Sequence, residues 1–328
     1  MNIKNQLIKR LNLSKLLWPT LANGLYCFNF HRIGHWQDTS FDPCVFSCDE
    51  ENFRQYLIFL NSNFRIITLE ELTNIIEKNS PITEKLALIT FDDGYADNYH
   101  IAYPILKSLN LSATFFITTS LVDSKIIAWW DEIAWHVRQC AGKTIKLNNW
   151  RKGIDIEMPA SQINIRQVLQ QVKAMSSTIE LQVQEFRDLS KTSVPDELRD
   201  NVFISWPQLV EMSENKMSIG AHSHSHKVFS CLTESELNFE LEESKRLLEL
   251  HLQKSVDSLS YPVGGSNTYN HDMFATISAK GYKLGFSFRG ITNHNPRVNR
   301  FELGRLSIDQ PFDGRKLMEM ILSADKDK

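Results

Sequence analysis

The feature that most constrains the fold is an alternation of short apolar runs with amphipathic helical patterns. The most strand-like run is Leu86-Ala-Leu-Ile-Thr-Phe91, closed by the turn residues Asp92-Asp93-Gly94. Apolar, β-branched and aromatic residues bounded by an Asp/Gly cluster are the signature of a buried strand. Before it, Gly24 opens the aromatic stretch LYCFNFHRI, a second buried strand. Between the two, residues 49–62 carry Phe53, Leu57 and Leu60 on one helical face, FRIIT is a short strand, and residues 69–78 are helical. A helix over 97–109 then leads to the strand Ala113–Ile117. Strands that alternate with helices argue for a parallel sheet or a barrel.

The rhythm breaks after Trp129-Trp130-Asp131. Residues 132–200 hold mainly helical or polar patterns, including 163–175 and 178–190, and read as a helical insertion rather than an independent domain. Alternation resumes with a helix at 206–215, a strand at 217–220, a helix at 233–252 and a strand near 257–261. A helix at 271–280, a strand at 283–287 and a helix at 313–323 follow. A chain of 328 residues, 42% hydrophobic and 23% charged, suits one such α/β unit and excludes a disordered or low-complexity protein. The net charge of −3 gives no sign of a nucleic-acid surface. Five cysteines with one close pair, Cys44 and Cys48, indicate neither a disulfide framework nor a zinc knuckle and fit reduced thiols. Residues 1–23 form a separate element. Within it, residues 1–18 space Ile3, Leu7, Ile8, Leu11, Leu16 and Leu17 near helical period among lysines and Arg10, without an export signal. Such a helix packs on its own domain or lies on an anionic membrane. The expected location is therefore cytoplasmic, with peripheral contact at the inner membrane through residues 1–18 as the alternative.

Two segments carry chemistry. The acidic pair Asp92-Asp93 stands where a hydrophobic strand ends, the position of active sites in parallel α/β folds. Two adjacent carboxylates repel, so the pair needs a cation or a proton; Asp-Asp-Gly also serves as a helix-capping turn. The second segment, Gly220-Ala-His222-Ser-His224-Ser-His226, places three histidines within five residues. Such a cluster beside a strand end reads as a metal site, with a solvent-exposed His/Ser loop as the alternative. Two histidines with Asp93 give the His2Asp set that zinc, nickel, cobalt or iron accepts.

With these residues in view, the sequence resembles the polysaccharide deacetylases with NodB homology, carbohydrate esterase family four. Thr90-Phe91-Asp92-Asp93-Gly94 matches the family's first motif, T-F-D-D-G, in full. His222-Ser-His-Ser-His226 matches its second, H-[ST]-x-x-H, and Ser260-Tyr-Pro-Val-Gly264 meets its third, R-x-P-x-G, in part. The elements Phe30-His31-Arg32, Trp129-Trp130-Asp131 and Arg300–Arg305 look like a bacterial branch associated with surface glycans. The resemblance implies a distorted, TIM-like (β/α)7 barrel over residues 24–328, with the insertion at about 132–200. It implies that Asp93, His222 and His226 hold one divalent metal, zinc first among the candidates, and that Asp92 is the general base. His224 falls at a variable motif position. The implied activity is hydrolysis of N-acetyl groups from an amino-sugar glycan, or from its lipid- or nucleotide-linked precursor, in surface polysaccharide biosynthesis. A backbone N–H near Val263 would hold the oxyanion, and Tyr261 and Trp130 would offer faces to a sugar.

The departures from the family pattern define what the structure must supply. Ser260 replaces the third-motif arginine that orients the base; Arg305 is the expected substitute, with Arg32 the alternative. The late Leu-x-x-His segment that provides the general acid has no clear match, which leaves His294 or His31. Competing functions are removal of formyl or O-acetyl groups with the same machinery, and a non-catalytic sugar-binding relic on the same barrel.

Overall fold

The computed structural model describes residues 14–175 and 178–325. Its main sheet consists of β1 (Gly24–Phe30), β2 (Arg65–Ile66), β3 (Lys85–Phe91), β4 (Thr114–Ile117), β5 (Ser218–Ala221), β6 (Ser258–Ser260), β7 (Leu284–Phe286) and β8 (Leu306–Ser307). All pairings are parallel, in the order β7-β6-β5-β4-β3-β1-β8, with β2 beside the first half of β3 and β4 beside its second half. This is the distorted α/β barrel expected from the alternation. Its two edges are brought together by the segment 300–308. Ser287 N–H donates to the Leu303 carbonyl on the β7 side, and Ile308 N–H donates to the Asn29 carbonyl on the β1 side.

Strand periodicity sorts every side chain into one of two cores. Tyr26, Phe28 and Phe30 of β1 point outward with Ala87, Ile89 and Phe91 of β3, under helices such as α1 (Glu50–Asn63). On this face the rings of Phe30, Phe91 and Phe115 stack across three adjacent strands at 5.4 and 4.7 Å. The alternate positions Leu25, Cys27, Leu86, Leu88, Phe116, Leu284 and Phe286 fill the barrel interior. The same parity sends Asn29, His31, Thr90, Asp92, His222, Ser260 and Arg305 to the inside, at its carboxyl end. The site is thus the last layer of the inner core, built from polar residues.

The expected elements fall close to their observed bounds, with two differences. The helix expected over 97–109 opens as a π-helical turn, Asn98–Ala102, before α2 (Tyr103–Ser108). Pro104 donates no N–H and its ring crowds the carbonyl four residues back, so the wider turn relieves the clash. The insertion also contains a small antiparallel hairpin, Thr144–Ile145 with Ile154–Asp155. Its helices α3 (Trp129–Gln139), α4 (Gln162–Lys173) and α5 (Ile179–Ser190) enclose Ile133, Val137, Ile165, Val168 and Phe186, a cluster continuous with Tyr95, Leu121 and Phe203 of the barrel. Most of the amphipathic stretch 1–18 lies outside the described residues. Of its end, Leu17 packs with Trp18 on the outer core. Among the described residues no helix is long and apolar enough to cross a membrane.

Gly220 shows how tightly the interior is filled below the site. A Cβ there would lie 2.5 Å from two ring atoms of Phe116 and 2.8 Å from Ser258 Oγ. Gly220→Ala should therefore cost about 1–3 kcal/mol by overpacking. Urea unfolding should show a lower midpoint at unchanged slope; an unchanged midpoint would mean that Phe116 can yield.

Candidate active site

Four backbone distortions aim the site. Asp93, Ser223, His226 and Val263 all have positive φ, at 74°, 60°, 57° and 63°. Left-handed backbone is rare for non-glycine residues, above all β-branched ones, and such strain concentrates at functional sites. At the end of β3, Asp92 continues the inward parity, and the left-handed Asp93-Gly94 turn swings the next carboxylate to the same side. The histidine loop after β5 is held by helix α7 (Glu234–Leu252; α6 is Trp206–Glu214). Buried Glu240 of α7 accepts the N–H groups of His224 and Ser225, both at 2.8 Å, and the Ser225 hydroxyl. Ser223 Oγ accepts the His226 N–H at 2.9 Å. Thr119 and Ser120, following β4, donate to the carbonyls of Ser223 and His224 and tie this loop to the acidic turn.

These constraints bring Asp93, His222 and His226 together, with one ligand atom of each inside a 4.8 Å span. Asp93 Oδ1 lies 3.5 Å from Nε2 of both histidines. Donors that share one first-row ion at about 2.1 Å stand roughly 3–3.5 Å apart, so the set fits a divalent metal. His222 Nδ1 is fixed against the Ser260 carbonyl at 2.9 Å, which leaves Nε2 for the ion. His226 Nδ1 has no hydrogen-bond partner among the described residues, and its ring instead packs on Trp130 at 4.4 Å. Burial, helped by the nearby His222, pushes the His226 pKa down to about 3, so its imidazole is neutral, the form that could bind an ion. Burial also opposes charge on His222, but Asp92 and Asp93 outweigh it and raise its pKa. The field that would protonate His222 is the field that favours a cation. Asp93, which burial alone would push up, is held low by the two histidines.

Asp92 is the centre of a second network. Arg305, 1% exposed, grips both of its oxygens at 2.7 Å and also donates to Asn29 Oδ1 and Ser260 Oγ at 2.7 Å. Asn29 Nδ2 donates to Asp92 Oδ2 at 3.2 Å. Burial raises the pKa of such a carboxyl, but Arg305 overrides it and keeps Asp92 ionised across the working range. Arg305 thus occupies the place left by the missing third-motif arginine, and Ser260 accepts from it. Arg32 is engaged elsewhere, donating to Asp97 at 2.7 Å between the rings of Phe46 and Tyr95. His31 is half-buried, with Nε2 4.0 Å from Asp92 Oδ2.

These groups line a cavity of about 300 Å³ that also receives Trp130 and Val263. Trp130 Nε1 donates to Tyr95 Oη, which donates to buried Asp131, so the Trp130 ring is pinned against His226. Two expected site residues are not here. His294 lies beside the first residue of β1, with Nδ1 3.3 Å from the Asn23 carbonyl and Nε2 3.1 Å from Asp325. That is the amino end of the barrel, one strand length from Asp92, so it cannot serve as the acid. Tyr261 has outward parity; its ring stacks on Tyr269 at 4.2 Å and its hydroxyl donates to the Phe301 carbonyl. It is a core residue rather than a sugar platform. Asn29 and Glu240 were not foreseen. A lone amide in the apolar run GLYCFNF was the available signal for the first. For the second it was a glutamate on the same helical face as Leu237, Leu241 and Ser244.

The chain belongs to the polysaccharide deacetylase family, whose model matches residues 79–285. A Bacillus subtilis (strain 168) protein named "Putative polysaccharide deacetylase YxkH" is 23% identical over 237 residues, 72% of this chain and 57% of that protein. Poly-β-1,6-N-acetyl-D-glucosamine N-deacetylase of Escherichia coli (strain K12) is 26% identical over 120 residues, 35% of this chain and 17% of that protein. The chain thus spans little more than half the length of one curated relative and a minor part of the other. Among solved structures, Streptococcus pyogenes deacetylase PplD in complex with acetate superposes with a TM-score of 0.59 at 17% identity, covering 92% of this chain and 98% of that one. IcaB from Ammonifex degensii gives 0.57 at 16%, covering 93% and 98%. Both share the fold.

Removing Arg305 leaves Asp92 buried and unpaired, so Arg305→Met should cost about 3–5 kcal/mol near pH 7. In the wild type the lowered Asp92 pKa contributes stability that is complete above the unfolded value near ~3.9 and lost as pH falls through the lower folded value. In the variant Asp92 titrates above its unfolded value, so acidification toward about pH 4 relieves the penalty. Urea unfolding at both pH values should show the gap between the proteins narrowing on acidification; a gap that is small and independent of pH would contradict the assignment.

Proposed function

We propose that this protein hydrolyses N-acetyl groups from an amino-sugar glycan, or from its lipid- or nucleotide-linked precursor, with one divalent metal ion held by Asp93, His222 and His226. The observation that carries this reading is the abutment of two sets in one cavity: three inward ligand atoms, and a carboxylate ionised by a bidentate arginine. When bound, the ion would supply Lewis acidity for the amide carbonyl and lower the pKa of water. Zinc is the first choice, with nickel, cobalt or iron accepted by the same donors.

The chain's own residues carry the protons. Asp92, fixed by Arg305, Asn29 and Ser260, accepts a proton from the attacking water as its oxygen bonds to the carbonyl carbon. Val263 lines the cavity at a left-handed turn, and its backbone N–H is the candidate oxyanion donor. His31 is the remaining candidate acid. Burial, outweighing the nearby carboxylates, lowers its pKa, so at neutral pH it starts without the proton it must deliver. The nearest source is Asp92, which gives a proton up readily because Arg305 makes its acid form unfavourable. A proton passing from water to Asp92, on to His31 and finally to the departing nitrogen balances the reaction: the C–N bond breaks, a free amine and acetic acid form, and the acid leaves as acetate after giving its own proton to the solvent. Arg305's grip on Asp92 supports this reading over a sugar-binding relic, because the base keeps the cationic partner that the third motif lacks. A cytoplasmic place with peripheral membrane contact belongs to the same proposal.

Acetate release from N-acetylated sugars tests it. Chelation should abolish release and zinc should restore it, while Asp92→Asn should lower kcat by about 10²–10⁴-fold. His31→Gln should lose amide cleavage yet retain cleavage of p-nitrophenyl acetate, whose phenolate leaves without protonation. A wild-type protein that binds metal and sugar but releases no acetate would favour the relic; equal losses on both substrates would remove His31 as the acid.

A further inference from the structure

The insertion contributes one wall of the catalytic cavity, and that wall is cationic. Arg166, Leu169, Gln170 and Lys173 of α4 line the cavity together with Asp92, His222 and His226. Their spacing of three, four and seven residues puts them on one helical stripe. The neighbouring stripe, with Ile165, Val168 and Val172, is buried in the insertion core, so the helix is fixed and only its polar edge meets the cavity.

Arg166 and Lys173 are exposed, and the side chain of neither makes an ion pair or hydrogen bond with another described residue. The acidic groups sharing the cavity do not satisfy them. Asp92 is neutralised by Arg305, and Asp93 stands between two histidines. Asp42 is buried and accepts the Cys44 N–H at 2.8 Å; the two cations act on it electrostatically, but neither forms an ion pair with it. The remaining carboxylate, Asp309, is exposed just after β8. Two cations facing a sugar-sized cavity, with no carboxylate among the described residues within ion-pair distance, leave their charge for a ligand.

We infer that Arg166 and Lys173 form an oxyanion subsite, so that the substrate is an N-acetylated sugar bearing a phosphate, a diphosphate or a carboxylate. This rests on the deacetylase reading and narrows its substrate class. Arg166 supplies a planar fork for two oxyanion oxygens and Lys173 a point charge about two turns away, while Gln170 between them offers a neutral donor. Asp309 repels an anion at the β8 side, which sets the direction in which the sugar lies. The acetamido group then reaches the carboxyl end of the barrel while the charged group stays at the insertion.

The test uses the full-length, zinc-loaded protein with three probes: N-acetylglucosamine, its 1-phosphate, and N-acetylmuramic acid as the carboxylate arm. Binding is measured calorimetrically and acetate release enzymatically, for the wild type and for R166Q/K173Q. The wild type should bind at least one anionic probe about tenfold or more tighter than the neutral sugar, the scale of a charge-assisted contact. That preference should shrink with added salt and collapse toward one in the double variant, with KM rather than kcat carrying the change. Preference for the phosphate over the carboxylate probe, or the reverse, identifies the source of the oxyanion. Equal affinity for all three probes, or a preference that survives in R166Q/K173Q, overturns the inference while acetate release leaves the deacetylase reading standing. Selective anion binding without acetate release from any probe sustains the subsite and sinks the hydrolytic reading instead. A circular dichroism melt of the double variant matching the wild type confirms that its fold is intact.

Discussion

The buried pair between Arg305 and Asp92 is the interaction on which the rest of the site depends. Its members come from opposite ends of the chain: Asp92 continues β3 near the middle of the sheet, and Arg305 lies in the segment that touches both barrel edges. A charge at 1% exposure is tolerable only with its partner in place, because desolvation of either ion alone costs several kcal/mol. The pair therefore ties the segment that joins the barrel edges to the carboxylate at the end of β3. It also fixes the orientation of Asp92, with Asn29 and Ser260 adding hydrogen bonds to Oδ2.

Strand parity turns this local pairing into a complete site. The interior below is apolar and tightly filled, with Phe116 meeting Phe286 across it at 5.0 Å. Each inward strand position beyond that layer becomes polar, and the carboxylates after β3 face the histidines after β5 across the single intervening strand β4. Where parity alone would aim a residue badly, the backbone bends. Asp93 and His226 take left-handed conformations, and the loops carrying them are braced by Glu240 and by the segment after β4. The cavity is thus braced on the barrel side, and α4 of the insertion supplies another wall.

Much of this was legible before the structure. The strand run 86–91 and its acidic turn, the histidine cluster and the partial third motif located the chemistry, because short motifs at strand ends carry their own geometry. Arg305 was legible only as a cation needed by a base that lacked its usual partner. Tyr261 and His294 were misread for opposite reasons. Tyr261 lies in a functional motif but one parity step off the inner face, and a one-residue shift reverses the side a strand residue faces. His294 was the histidine nearest in sequence to the family's segment, yet proximity along the chain does not reveal which end of a barrel a loop occupies. Glu240 and the cationic edge of α4 act through packing between distant elements, which no local pattern encodes.

The proposed chemistry needs one cation shared by Asp93, His222 and His226. Anomalous X-ray scattering from crystals of the zinc- or cobalt-loaded protein would locate it. One ion per chain is expected at the ends of β3 and β5, bound by one carboxylate oxygen and two imidazole nitrogens at about 2.0–2.2 Å. An ion found elsewhere, or none at this position under saturating metal, would contradict it.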